Sequence, residues 1–201
     1  EDFSKGTMEN GGQNLYVSKK GVLQRVFQYD INGDGYPDLP FASSQSMHER
    51  PPVHLYSNVM ENGEFVELPS GDTYTGIFAD LHGTGYDDLI LACQNNGTHT
   101  DITSIVYFGG PEGLSENYRM ELPAPNAIDV VAGDFNGDGK QELIFVSDDK
   151  LRMFYQSAVG FSPADLVDYD VHAASLAAGD LDGDGICDLV IKTKDGRVGV
   201  I

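Results

Sequence analysis

One nine-residue stretch constrains this chain more than any other: Asp180-Leu181-Asp182-Gly183-Asp184-Gly185-Ile186-Cys187-Asp188. Oxygen-bearing side chains fall at positions 1, 3, 5 and 9, in the manner of a calcium loop opening D-x-[DN]-x-[DN]-G. Calcium takes six to eight oxygens at about 2.3–2.6 Å. Asp180, Asp182, Asp184 and Asp188 can give carboxylate oxygens, and Ile186 can give its backbone carbonyl. Glycines at positions 4 and 6 let the backbone curl, because glycine reaches positive φ without steric cost. The closing acid stands at position 9 rather than 12, and the flanks read as strands, so the loop is not an EF-hand.

The loop occurs four times. The first copy is Asp30, Asn32, Asp34, Tyr36 and Asp38; the third is Asp134, Asn136, Asp138, Lys140 and Glu142. The second is degenerate: Asp80, His82, Thr84, Tyr86 and Asp88. Spacings near 50 residues signal a propeller, a solenoid or an array. About each loop the sequence alternates apolar and polar residues between Gly, Pro, Asn and Asp clusters, which is the pattern of short strands. Four short strands per repeat make a propeller blade. The expected fold is therefore all-β: four-stranded antiparallel blades over residues 14–201, after a loose segment at 1–13. Repeat four has three strands, at 173–179, 188–193 and 197–201. Two arrangements follow. Either the strand at 14–18 completes the last blade and closes a four-bladed ring, or the chain is an arc of a larger propeller. The arc is the preferred expectation, because Tyr16-Val17-Ser18 reads as a third strand.

The motifs resemble those of the FG-GAP/VCBS repeat family, the integrin-α-like β-propellers. Asp134-Phe135-Asn136-Gly137-Asp138-Gly139 and its three relatives carry the resemblance. So does Tyr107-Phe108-Gly109-Gly110-Pro111-Glu112-Gly113-Leu114, with echoes at Leu55-Tyr56-Ser57 and Phe154-Tyr155-Gln156. The resemblance implies that each loop joins the first and second strands of a blade. It also implies extracellular recognition: adhesion, lectin-like binding, or a module beside a secreted carbohydrate-active enzyme.

Loops one, three and four are expected to hold about three structural Ca²⁺ ions. In loop two His82 offers nitrogen, which suits transition metals better than calcium, so that loop is expected to be metal-free and held by hydrogen bonds. The net charge of −20 argues against nucleic acid, whose phosphates are bound by Lys and Arg patches. Three calcium ions would bring it to about −14. No apolar run is long enough to span a membrane. The start, Glu1-Asp2-Phe3-Ser4, has no signal-peptide pattern and reads as a mature or excised segment, with further blades or domains expected in a longer chain. Cys93 and Cys187, at comparable places in their repeats, are expected to be free thiols. No catalytic constellation is evident, so the chain is expected not to be an enzyme; the alternative is a non-catalytic part of a secreted polysaccharide-processing enzyme.

Topology separates two ends. The acid loops lie at one, and the strand-two-to-three loops share the other with the blade connections. Those loops are tight in repeats three and four and long in repeats one and two. Because binding residues concentrate on loops over a rigid scaffold, a glycan or protein ligand is expected near His48, Glu49, Arg50, Asn95, Asn96, His99 and Asp101, with Asp72 and Tyr74 between them.

Overall fold

Asp-Leu-Ile-Leu-Ala-Cys and Glu-Leu-Ile-Phe-Val-Ser are the two longest strands, among those described, in which every residue is buried. A strand covered on both faces must read as continuous apolar sequence, and a sheet stacked between two others provides such a place. The computed structural model describes residues 52–56, 65–94 and 102–201 in full, and the backbone of the strands at 15–17, 23–26 and 39–43. Residues 1–13, the first acid loop and most of the two long loops lie outside the described residues.

Four antiparallel sheets follow one another along the chain. The first holds β1 (Leu15–Val17), β2 (Leu23–Val26), β3 (Leu39–Ser43), β4 (Val53–Tyr56) and β5 (Phe65–Leu68). The second holds β6 (Thr73–Ala79), β7 (Asp88–Cys93), β8 (Ser104–Tyr107) and β9 (Arg119–Leu122). The third holds β10 (Asp129–Gly133), β11 (Glu142–Ser147), β12 (Lys150–Phe154) and β13 (Leu166–Tyr169). The fourth holds β14 (Ala173–Gly179), β15 (Asp188–Thr193) and β16 (Val198–Val200). Strands are ordered as in the sequence. No α-helix occurs among the described residues; one 3₁₀ turn, Pro163–Asp165, precedes β13. These are propeller-like blades.

Side chains alternate across a strand, and in β7 and β11 the alternation assigns them to two cores. Leu89, Leu91 and Cys93 pack with Val53, Leu55 and Leu68 of the first sheet. Ile90 and Ala92 turn the other way, onto Leu143 and Phe145 of β11. Ile144 and Val146 then face Leu189 and Ile191 of the fourth sheet. Each full burial of such a side chain stabilises by about 1.5–3 kcal/mol. First strands meet near one axis, where β10 touches both β6 and β14, and the later strands β9 and β13 are largely exposed. Backbone bonds join neighbouring blades: Ala127 N–H to the Cys93 carbonyl at 2.9 Å, and Cys187 N–H to the Asp134 carbonyl at 2.8 Å.

Glycine in the Phe-Gly stretch has a steric reason. A Cβ on Gly109 would collide with the Asp87 carbonyl oxygen, so the chain there must pass against the acid loop without a side chain. Between β11 and β12, Asp148 and Asp149 take φ of 47° and 63°, the two positive values of a type I′ hairpin turn. Asn126 Nδ2 donates to Asp148 Oδ1 at 2.7 Å and holds it.

Two expectations need adjustment. The N-terminal strand pairs with β2, Leu15 opposite Arg25, and makes the first sheet five-stranded. It does not complete the fourth sheet, and the described strands form no closed ring. Strand β16 has β15 as its one strand neighbour among the described residues. Finally, Cys93 ends β7 whereas Cys187 precedes β15. The two are free but not at equivalent places: the counterpart of Cys187 is Asp87.

Candidate metal centre

All three described acid loops join the first and second strands of a sheet, and all three use their first aspartate as a hub. In the fourth, Asp180 Oδ1 accepts from Gly183 N at 2.7 Å and Oδ2 from Gly185 N at 3.0 Å. Those glycines stand at φ of 83° and 87°, which turns their N–H groups inward. Asp182 Oδ1 accepts from Asp184 N, and Asp184 Oδ1 from Ile186 N. Asp188 Oδ2 accepts from Leu181 N at 2.8 Å and ties the end of the loop to its start. Carboxylate oxygens of Asp180, Asp182 and Asp188 lie within 4.8 Å of one another. Asp184 stands outside that group.

The third loop repeats the hub but not the carboxylate cluster. Asp134 accepts from Gly137 N at 2.7 Å and Gly139 N at 2.8 Å. Asn136 takes the place of Asp182. Its Oδ1 accepts from Asp138 N, and its Nδ2 donates to Glu142 Oε1 at 2.9 Å. Glu142 is fully buried and its Oε2 accepts from Phe135 N at 2.9 Å. Lys140 Nζ lies 3.5 Å from Asp138 Oδ2. With calcium in this loop, Asn136 would present its oxygen where it now presents nitrogen; this is the shell that needs rearrangement.

In the second loop hydrogen bonds occupy the first and last acids, Asp80 and Asp88. Asp80 accepts from Thr84 N at 2.8 Å and Gly85 N at 2.7 Å. Asp88 Oδ1 accepts from Gly109 N at 2.7 Å, and Oδ2 from Leu81 N at 3.1 Å. His82 sets Nδ1 3.6 Å from Asp88 Oδ2 and packs its ring edge-on against Phe108. The first loop, Asp30 to Asp38, is outside the described residues.

Burial raises the carboxyls of Glu142 and Asp88 above the usual carboxylate range. At Glu142 the charges of Asp138 and Asp134 add to this, while at Asp88 the Gly109 and Leu81 N–H groups oppose it. At Asp80 burial also pushes upward, but the N–H groups of Gly85, Thr84 and Gly83 outweigh it and hold the carboxyl low. The signs differ. Stability from a raised group is present below its unfolded pKa and is lost as pH rises through the folded value. Asp80 contributes above its unfolded pKa, and loses that contribution as pH falls through its folded value. In chelator, lowering the pH from neutrality toward the upper carboxylate range is therefore expected to raise the thermal midpoint, helped by relief of the −20 charge. A midpoint that falls steadily over that interval would contradict this.

Of the expected ligand face, His48, Glu49, Arg50, Asn95, Asn96, His99 and Asp101 lie outside the described residues. Asp72 and Tyr74 are described. Asp72 is 8 % exposed, burial raises its carboxyl, and its Oδ1 has no hydrogen-bond partner. Tyr74 is half-buried. Sequence reasoning missed a cleft of about 560 Å³ at the other end, between the second and third sheets, reached by His82, Lys140, Gln141, Gln156 and Val159.

Residues 134–191 match the family model of the FG-GAP-like repeat. No curated protein sequence matches the chain. Among solved structures, the V. cholerae biofilm matrix protein Bap1 is similar at 20% identity, over 94% of this chain and 29% of that one, with a TM-score of 0.55. The BBS1N–ARL6DN complex contains a similar chain at 15% identity, 88% and 49% coverage and a TM-score of 0.52. An Agrocybe aegerita lectin that recognises non-reducing terminal N-acetylglucosamine is similar at 16% identity, 88% and 48% coverage and a TM-score of 0.50. The chain spans less than half the length of each of these. At such identities the likeness shows the fold alone. The matched stretch, residues 134–191, runs from the end of β10 in the third sheet into β15 in the fourth, and over it the chain is similar to an FG-GAP-like repeat.

Proposed function

We propose that this chain is a calcium-stabilised propeller module that works in extracellular recognition or adhesion, on a glycan or protein ligand. The observation that carries the reading is the fourth loop, where Asp180, Asp182 and Asp188 converge within 4.8 Å on a tight hairpin. Carboxylates held that close repel one another, and a hard cation with oxygen preference relieves the repulsion. The third loop offers Asp134, Asn136, Asp138 and Glu142 on the same frame, and the first loop has the same sequence pattern. Loop two, with His82 and Thr84 where loop four has Asp182 and Asp184, is read as standing without metal. A lectin and a matrix protein share the fold, but fold alone does not carry function over. The ions are structural, and the ligand surface lies on loops that the rigid blades hold.

The chain is further read as an arc of a larger propeller. Pairing of β1 with β2 supports this, since it leaves the edge of β16 without a further strand among those described. Titration calorimetry on folded, chelator-stripped protein tests the calcium reading. Uptake near one ion for each of loops one, three and four is expected, with weak sites of about 10⁻⁴–10⁻³ M typical of extracellular modules. Absence of calcium uptake by the folded sample would overturn it.

A further inference from the structure

The second and third sheets meet differently at their acid-loop ends from the third and fourth. Across the later interface Ile186, seventh in its loop, lies over Gly137: a Cβ on Gly137 would stand 3.1 Å from Ile186 Cδ1. Beside it Cys187 binds Asp134 directly, backbone to backbone. At the earlier interface the corresponding residues are Lys140 and Gln141. Gln141 has to span the gap with its side chain, its Nε2 donating to the Asp80 carbonyl at 3.2 Å. Nothing lies within 4 Å of a Cβ built on Gly83, the counterpart of Gly137. At one interface an apolar side chain covers the facing glycine, above an apolar pocket of about 290 Å³; at its twin a polar cleft of about 560 Å³ lies open.

The walls of this cleft can hydrogen-bond in both senses. His82, freed from the role its repeat position has elsewhere, turns Nδ1 to Asp88. Its Nε2 points across the cleft and lies 3.9 Å from where a Cβ on Gly160 would stand. Gln156 is 9 % exposed and donates Nε2 to the Leu81 carbonyl at 2.9 Å. That leaves its Oε1 as an acceptor with no hydrogen bond among the described residues. Lys140 adds an ammonium group, and Val159, 94 % exposed, an apolar lip. Asp80, Asp88 and Asp138 stand around these groups in a chain of net charge −20, which disfavours an anionic ligand. Hydroxyl groups both donate and accept, and match such walls without adding charge.

We propose that the cleft between the second and third blades binds a neutral, hydroxyl-rich ligand of the size of one or two uncharged sugar residues. This rests on the recognition reading above and places its ligand at the acid-loop end, away from the long loops. Saturation-transfer NMR on the full chain in calcium, with methyl glycosides of neutral hexoses and N-acetylhexosamines as probes, tests it. The unmodified protein should show transfer. Lys140→Ile puts over Gly83 the side chain type that covers the facing glycine at the next interface, and should weaken binding about tenfold or more. His82→Ala, at an exposed position, should weaken it as well, and carries the test alone if circular dichroism shows Lys140→Ile to be misfolded. Binding that survives both substitutions places the sugar elsewhere and overturns the cleft while the recognition reading stands. No transfer from any probe also overturns the cleft, and calcium uptake remains the separate test of the module.

Discussion

Asp182→Ala is expected to cost the protein about 2–3 kcal/mol in saturating calcium and almost nothing in chelator, whereas Thr84→Ala costs under about 1 kcal/mol in both. The first figure is the stabilisation a ligand gives at about 100 times its Kd, roughly 2.7 kcal/mol. The second is the scale of a net hydrogen bond; Thr84 Oγ1 donates to Asp80 Oδ1 at 3.3 Å at an exposed site. Asp182 is the informative target in its loop, because its oxygen joins those of Asp180 and Asp188 while that of Asp184 does not. Without the ion its removal relieves repulsion among the remaining two. Thermal midpoints in about 10–100 mM calcium, some 100 times the Kd expected of such sites, and again in chelator measure both terms. Losses that are equal for the two variants and indifferent to chelator would show that the loops are not ranked by metal at all.

Phe145→Ala is expected to destabilise by about 3–5 kcal/mol, whatever the calcium concentration. Phe145 is fully buried in β11 and meets Phe154 edge to face, with ring centroids 5.8 Å apart. Its ring fills the space between the second and third sheets, alongside Ile90, Val106 and Leu122. Blades on both sides are rigid sheets that cannot collapse into the cavity. Denaturant unfolding in chelator and in calcium should give the same loss. A cost below about 1 kcal/mol would mean that this interface is loosely packed.

Much of the strand layout is legible in the amino-acid sequence, because two signals coincide. Runs such as Leu89 to Cys93 are too apolar for a solvent-facing strand, and the acid loop marks where each begins. Asp88, Glu142 and Asp188 each open a second strand, as the repeat implies. What the sequence does not reveal depends on distances between separate segments. Leu15–Val17 has the same alternation whether it pairs with β2 or closes a ring, and only the placement of the chain decides. Asn136 and Asp182 look interchangeable as oxygen donors, yet the amide has a nitrogen to offer and gives it to buried Glu142. The cleft lies where Lys140 and Gln141 stand in place of the Ile186 and Cys187 of the next repeat, and the turn after β12, from Gln156 to Gly160, forms its other wall. That contrast is visible in the aligned loops, but its effect depends on how far apart two blades settle. Much of the expected ligand face, from His48 to Arg50 and from Asn95 to Asp101, lies outside the described residues.

Strand β11 is apolar on both sides, and this raises a question of alignment. In an ordinary half-buried strand, slipping by one residue throws apolar groups into water and is punished at once. Here a slip would only exchange Leu143 and Phe145 for Ile144 and Val146, so polarity offers no objection. Something else must fix the pairing. The acid loop does so: Glu142 reaches back to Phe135 N and Asp134 collects the N–H groups of Gly137 and Gly139, so the hairpin can close in one alignment only. The acidic turns thus act as a molecular ratchet stop for the blade, with or without an ion, and a family of such blades can vary its metal ligands widely so long as the first and last acids remain to set the count.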